Sequence, residues 1–358
     1  MSEVFGHKYE LYIRKPLELI QVHQESTGYE GNVVALASPT SQVVGVTRTS
    51  PIVSVGSGGV SDSSGYSDYL TVDMGSVVIK NPIQMEADIT YVNNGSNNSA
   101  APATIKLYNL SKTTIQGIQK DCLLMLKAGY DSDASLPIVF VGVVEKVSTQ
   151  RDGSSVVTTI VCKEGGNTLK SKTITKTWEK GTLILSAFIT MMDEFEKVGI
   201  PSGGFFGNAG TLQTFPDTTQ LSGTLGKVMD ELCAMLPNIS QMCWYISGGK
   251  LFIQPKYDDR YVDTINLEPS QVIGTISIDD DNLGEDTSKT QNMQAGVKFT
   301  CYLNGRIRLE NRVEVGYGDY RGTYKPTGIV YNLNWKNGPW QMSVETKAFN
   351  GTDDRSSV

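Results

Sequence analysis

Few residues in this chain have the type and spacing that catalysis requires. Asp193, Glu194 and Glu196 lie in a segment of helical period, 181–198. A glycoside hydrolase needs two carboxylates flanking a cleft, one of them in an apolar pocket. Here the three carboxylates fall opposite Phe188 and Met192, so the spacing predicts a solvated acidic helix face. Glu194 and Glu196 remain the candidate acids should the chain be a hydrolase. A second acidic group, Asp279, Asp280, Asp281, Glu285 and Asp286, could hold a divalent cation. An EF-hand loop wants alternating oxygen ligands, Gly at position six and Glu at twelve. Counted from Asp279, Gly284 falls at six, but Leu283 stands at five and Thr290 at twelve, so an exposed acidic loop is expected.

His7 and His23 are the two histidines, which leaves little scope for His-based metal binding or general-base catalysis. Cys122, Cys162, Cys233, Cys243 and Cys301 are scattered, with no C-x-x-C spacing. They read as reduced, mostly buried thiols, not as a zinc ribbon or a disulfide framework. No G-x-S-x-G elbow is present, and the Gly-rich tract 55–65 lacks the P-loop arrangement. Trp178, Trp244, Trp335 and Trp340 sit among strand patterns and read as core or interface anchors. No catalytic, cofactor-binding or metal-ligating set emerges from the 358 residues.

The composition points the same way. The net charge of −7 opposes a surface that grips nucleic-acid phosphates. The 36 glycines suit a turn-rich β protein. Charges at Glu3, Lys8, Glu10, Arg14, Lys15 and Glu18 break any signal-peptide core, and no apolar run approaches the ~20 residues a membrane span needs. A soluble chain made in a cytoplasm is expected.

The elements that must position any site are mostly strands. Alternation of apolar and polar residues predicts strands within 8–23, 76–79, 84–91, 103–108, 123–130, 138–147 and 156–162, with a turn at Asp152-Gly153. Ser111 is placed to cap a short helix ending near Gln119. The segment 26–65 carries only Glu30, Arg48 and Asp62 as charges and reads as a long insertion. At 181–198 the period changes: Leu183, Ile184, Ala187, Phe188, Met191, Met192, Phe195 and Val198 form one helical face, with Thr182 as its cap and Gly199 at its end. A second helix follows Ser222 and stops at Pro237, and a hairpin follows at 242–246 and 250–254. Further strands are predicted at 295–303, 306–315, 328–334 and 340–348, and a polar tail at 351–358. This gives a mainly β chain with an α+β middle unit: 1–165 (with a long insertion at 26–75), 166–264, 265–350 and a tail, 351–358.

One ordered series of segments resembles a known family. Ala103–Ser111 (ATIKLYNLS) leads to a short helix, then Leu126–Tyr130 (LKAGY), then Ile138–Val144 (IVFVGVV). Trp244–Ile253 (WYISGGKLFI) follows in the middle unit. Val297–Asn304 (VKFTCYLN), Gly322–Val330 (GTYKPTGIV) and Trp340–Ala348 complete the series. The order is similar to that of baseplate hub proteins from contractile-tailed bacteriophages. The resemblance implies two tail-tube-like antiparallel β-barrels plus a small helix-hairpin domain. It also implies a homotrimer forming a pseudo-sixfold ring, with the tail tube protein or tube initiator, a central spike protein and baseplate wedge proteins as partners. DNA would only pass through the channel, and the location would be the virion, after assembly in the host bacterial cytoplasm. Neither cofactor nor catalytic activity is implied. The alternatives are another tail-tube-related part (a distal tail or tube-initiator protein), a baseplate glycan hydrolase, or a receptor-binding adhesin.

Overall fold

The computed structural model describes residues 6–14, 19–20, 35–36, 77–92, 101–166, 168–237, 240–256, 259–279, 296–316, 318–336 and 338–349. His23, the tract 55–65, most of the insertion, the acidic residues after Asp279 and the tail lie outside them.

The chain is mainly β. Its first part runs β1 (His7–Arg14), β2 (Leu19–Ile20), β3 (Ala35–Leu36), β4 (Val77–Lys80), β5 (Met85–Val92), β6 (Pro102–Tyr108), α1 (Lys112–Gly117), β7 (Leu123–Tyr130), β8 (Ile138–Asp152) and β9 (Ser155–Lys163). The middle part is α2 (Thr168–Ser171), β10 (Thr173–Trp178), α3 (Ile184–Glu196), β11 (Ser202–Phe205), β12 (Thr219–Thr224), α4 (Leu225–Ala234), β13 (Met242–Ser247) and β14 (Lys250–Pro255). The last part is β15 (Thr264–Leu267), β16 (Val272–Asp279), β17 (Gly296–Tyr302), β18 (Arg312–Val315), β19 (Gly322–Asn334) and β20 (Trp340–Ala348).

Strands from the two ends of the sequence share one 13-stranded sheet, in the order β16-β17-β20-β19-β5-β6-β9-β8-β7-β1-β4. Every step along that path is antiparallel, while β15 joins its outlier β18 in parallel. The seam between the two strand groups is β5 against β19, running from Gly328 opposite Val92 to Asn334 opposite Glu86. Period-2 alternation sends Tyr9, Leu11, Met85, Ile89, Ile105, Leu107, Ile329, Leu333, Trp340 and Met342 into a single core.

The middle part has a core of its own. Phe188, Met191 and Phe195 of α3 meet Val228, Met229 and Leu232 of α4 over Trp244 and Ile253. The hairpin β13–β14 separates this core from the first. Trp244, Ile246, Leu251 and Ile253 face the helices, while Tyr245 and Phe252, paired across the hairpin and stacked at 5.5 Å, face the large sheet. Its turn, Gly248-Gly249, takes positive φ at both residues (57° and 75°), the geometry that matches a two-residue hairpin to strand twist.

Several expectations need correction. Thr182 does not cap α3: the N-cap is Leu183, which makes no side-chain cap bond, and Thr182 lies one residue outside it, its backbone N–H donating to Glu179 O and its carbonyl accepting from Phe215 N–H. Gly199 does end the helix, with φ +84° and its successor Ile200 N–H returning to Phe195 O at 3.0 Å. The strand expected over 306–315 is confined to Arg312–Val315, since Asn304 and Arg308 carbonyls turn the chain at Ile307 and Asn311. β19 begins at Gly322, six residues before the strand expected from 328. The pair β10–β12 has no counterpart in the sequence reading.

Trp244 is fully enclosed, and its Nε1–H donates to Asp230 Oδ1 at 2.7 Å. Trp244→Ala is expected to cost about 3–5 kcal/mol, read as a lowered urea midpoint. Val78→Ala, on the exposed side of β4, is expected to change stability by less than about 0.5 kcal/mol. Equal midpoints for the two variants would contradict the packing described here.

Candidate functional site

Two charged clusters stand out, and both depart from the sequence reading. Glu194 is not on a solvated face. It is 7% exposed, whereas Asp193 and Glu196 are exposed as expected. Turning α3 against β10 brings Glu194 under three lysines. Its Oε1 accepts from Lys197 Nζ at 2.8 Å and from Lys176 Nζ at 3.0 Å, and its Oε2 lies 3.3 Å from Lys172 Nζ. Lys197, with Lys176 and Lys172 behind it, holds the Glu194 carboxyl down at about 2 against the opposing effect of burial. A general acid must carry its proton near the working pH. Glu194 is a fixed carboxylate instead, so the hydrolase alternative loses one of its two candidate acids.

The second cluster lies where the β13–β14 turn meets the large sheet. Glu164 continues the inward alternation of Ile160 and Cys162 and is fully buried. Its Oε1 accepts from Gly249 N–H at 3.1 Å and lies 3.3 Å from the Tyr91 hydroxyl, which also reaches Val139 O at 2.9 Å. Glu164 Oε2, Glu310 Oε2 and the Tyr245 hydroxyl are buried without a hydrogen-bond partner among the described residues. Burial, with Glu310 adding to it, pushes the Glu164 carboxyl well above its usual range, against the Gly249 and Tyr91 bonds. Arg308 Nη2 donates to Ile138 O at 2.9 Å. Tyr91, Tyr331, Gly248 and Arg308 line a cavity with room for about one water. Further along the same seam, Lys347 Nζ pairs with buried Asp259 at 2.8 Å. Lys325 is buried and donates to Arg260 O at 2.5 Å; burial lowers it to about 8, with Asp259 and Glu310 opposing.

The remaining candidates are accounted for by packing. The His7 ring stacks on Trp340 at 4.8 Å, and burial lowers its pKa. All five cysteines are free and buried, and burial raises Cys243 to about 11 and Cys301 to about 12, so neither is a ready thiolate. Trp178, Trp244 and Trp340 are core residues, and Trp335 Nε1–H donates to His7 O at 2.8 Å. Sequence reasoning missed Glu164, Glu310, Asp259 and Lys325. Only Glu164 carried a usable signal, its place in the inward register of β9.

No protein-family model matches the chain, and no curated protein matches it. Solved structures resemble it distantly. A tail protein from Neisseria meningitidis MC58 is 10% identical, with 74% of this chain and 95% of that one covered at a TM-score of 0.47. The 43 kDa tail protein of prophage MuSo2 from Shewanella oneidensis is 10% identical, with 77% and 97% covered at 0.49. The E. coli c3393 protein, a component of the type VI secretion system, is 9% identical, with 75% and 74% covered at 0.49. Likenesses this distant carry no weight for the function of this chain.

Glu194 and Glu164 give opposite pH dependences. Glu194, lowered on folding, stabilises the protein above pH 4.5, and that contribution is lost as pH falls from 4.5 towards 2. Glu164, raised on folding, costs stability increasingly as pH rises above 4.5. Thermal midpoints across pH are therefore expected to show Glu194→Gln losing most at neutral pH and converging on wild type in acid. Glu164→Gln should gain on wild type as pH rises. Parallel curves for either variant would contradict these assignments.

Proposed function

We propose that the chain is a structural baseplate hub of a phage tail. In this reading three copies form a pseudo-sixfold ring, joining a sixfold tail tube to a threefold central spike and leaving a channel for DNA. The observation that carries it is the sheet: two strand groups, one from each end of the sequence, meet at β5–β19, with the α3–α4 unit inserted between them in sequence. In this reading each group corresponds to one tube-like barrel. Three chains with two such groups each place six similar units around an axis, while the chains themselves repeat only three times. The ordered motifs from Ala103 to Ala348 support the same assignment. A tube initiator or distal tail protein needs one strand group, so the second group favours the hub over those parts.

The job is geometric. The ring would offer one face to the tail tube or its initiator and the other to the spike, with wedge proteins outside. A net charge of −7 would keep DNA from adhering during passage. The glycan-hydrolase alternative is disfavoured by Glu194, whose three lysines keep it ionised.

Light scattering of the purified chain across a concentration range, with negative-stain images of the same peak, tests the proposal. A threefold ring with a central channel and the mass of three copies is expected. A monomer at every concentration, still monomeric when mixed with its tail's spike and tube proteins, would contradict it.

A further inference from the structure

Two stretches of the middle part carry no charge. Residues 181–192 and 198–216 contain no Asp, Glu, Lys or Arg, in a chain that is 19% charged. The fold brings them together. Ile184 N–H donates to Gln213 O and Leu185 N–H to Thr211 O, each at 2.9 Å, and Phe215 N–H returns to Thr182 O at 2.9 Å. Farther along α3, the Phe188 ring meets Phe205 of β11 at 5.6 Å, and Ser202 Oγ–H donates to Met192 Sδ at 3.6 Å.

This charge-free surface is open to solvent. Leu183, Ile189 and Leu212 are 44%, 47% and 66% exposed, and Leu212 exceeds every other large apolar side chain among the described residues. Leu185 and Ile189 stand one turn apart on α3. The loop that carries Leu212 is fixed from within. Asn208 Oδ1 accepts from Gly210 N–H at 3.0 Å and from Thr211 N–H at 3.3 Å, and Asn208 Nδ2 donates to Ser240 O at 3.0 Å. Thr211 Oγ1–H donates back to Asn208 O at 2.7 Å. An apolar side chain held out on such a loop loses little freedom on binding. Beside it runs an open strand edge. β11 pairs with β14, and among the described residues no strand pairs with its other edge. Ser202–Phe205 (SGGF) carries none of the charges that commonly guard an edge.

We propose that the β11 edge and the Leu185–Ile189–Leu212 surface dock an extended, uncharged, apolar segment of a partner protein. Its main chain would extend the β11-β14-β13 sheet, and alternate side chains would lie over Ile189 and Leu212. Exposed aliphatics in a charge-depleted setting match the buried centre of a protein interface, whereas a nucleic-acid surface is basic. A charged segment is disfavoured because its charges would lose water here without counterparts. The area also selects the occupant. A few half-exposed aliphatic side chains and a four-residue edge fall well short of the ~800 Å² per partner that a stable dimer buries. A single strand suits this surface, and a second copy of the chain does not. The docking surface goes beyond the hub assignment and does not depend on it.

The test uses the full-length protein and a fluorescent peptide of about eight residues, alternating Val and Thr, the length of one strand. Anisotropy titrations are expected to show Ile189→Glu/Leu212→Glu binding roughly tenfold or more weakly than wild type. Val262→Glu, at an exposed position outside the patch, should bind as wild type does. The same peptide with alternate amides N-methylated keeps its side chains but cannot join a sheet, and it is expected to lose binding. Hydrogen exchange of the wild-type protein should slow at Ser202–Phe205 when the unmodified peptide is added. No binding of that peptide, equal binding by both variants, equal binding of the N-methylated peptide, or unchanged exchange at β11 would each overturn the proposal. Tighter binding of a Glu–Thr peptide or of neutral phosphatidylcholine vesicles would overturn it too. So would a lower solution mass of the double variant, which would give the surface to a second copy. Should the double variant fail to fold, the N-methylated peptide and the exchange map decide on wild-type protein alone.

Discussion

The structure depends on a hairpin that has no solvent face. β13 and β14 are buried along nearly their whole length, and their pleat divides two cores. Alternation gives each core its own anchors from one short segment: Trp244 and Ile253 for the helices, Tyr245 and Phe252 for the sheet. Burying one such side chain contributes roughly 1.5–3 kcal/mol, so the hairpin ties both cores to a common stability. A register slip of one residue would exchange the two sets and put Tyr245 and Ser247 where Trp244 and Ile246 now pack. The Gly248-Gly249 turn fixes that register and also presents Gly249 N–H to Glu164.

This junction explains where the buried charges lie. A hairpin end closing onto a sheet brings backbone groups to a place that water reaches poorly. Glu164, Arg308 and Tyr91 satisfy some of them, and Glu164 Oε2, Glu310 Oε2 and the Tyr245 hydroxyl have no hydrogen-bond partner among the described residues. Removing one member of such a network leaves the others buried without partners, which is why polar seams of this kind fix one arrangement of the parts they join. A part that adapts one symmetry to another needs such fixed geometry. The hub reading and the junction therefore make the same mechanical demand.

Much of the fold was legible because the strands alternate. The bounds read for β7 and β20 match the structure, and those for β5, β6, β9 and the hairpin fall within one or two residues. The failures have local causes. β10 and β12 are short, rich in Thr, Ser and Gly, and half-exposed, so they carry no apolar period. The alternation of 306–315 was real, but turns at Ile307 and Asn311 use it to bury Ile307 and Leu309 without a strand. Glu194 was misread because helical spacing sees only its own helix. Lys172 and Lys176 approach from another strand, and no local pattern contains them.

Native-state hydrogen exchange tests most directly whether the hairpin couples the two cores. The amides of Trp244, Tyr245, Phe252 and Ile253 should exchange only through global unfolding, with the same opening free energy as the ladder amides of β5 and β19. Exchange of the hairpin together with α3 and α4 at a markedly lower free energy, while β5 and β19 stay protected, would show that the middle unit opens independently and would contradict the account.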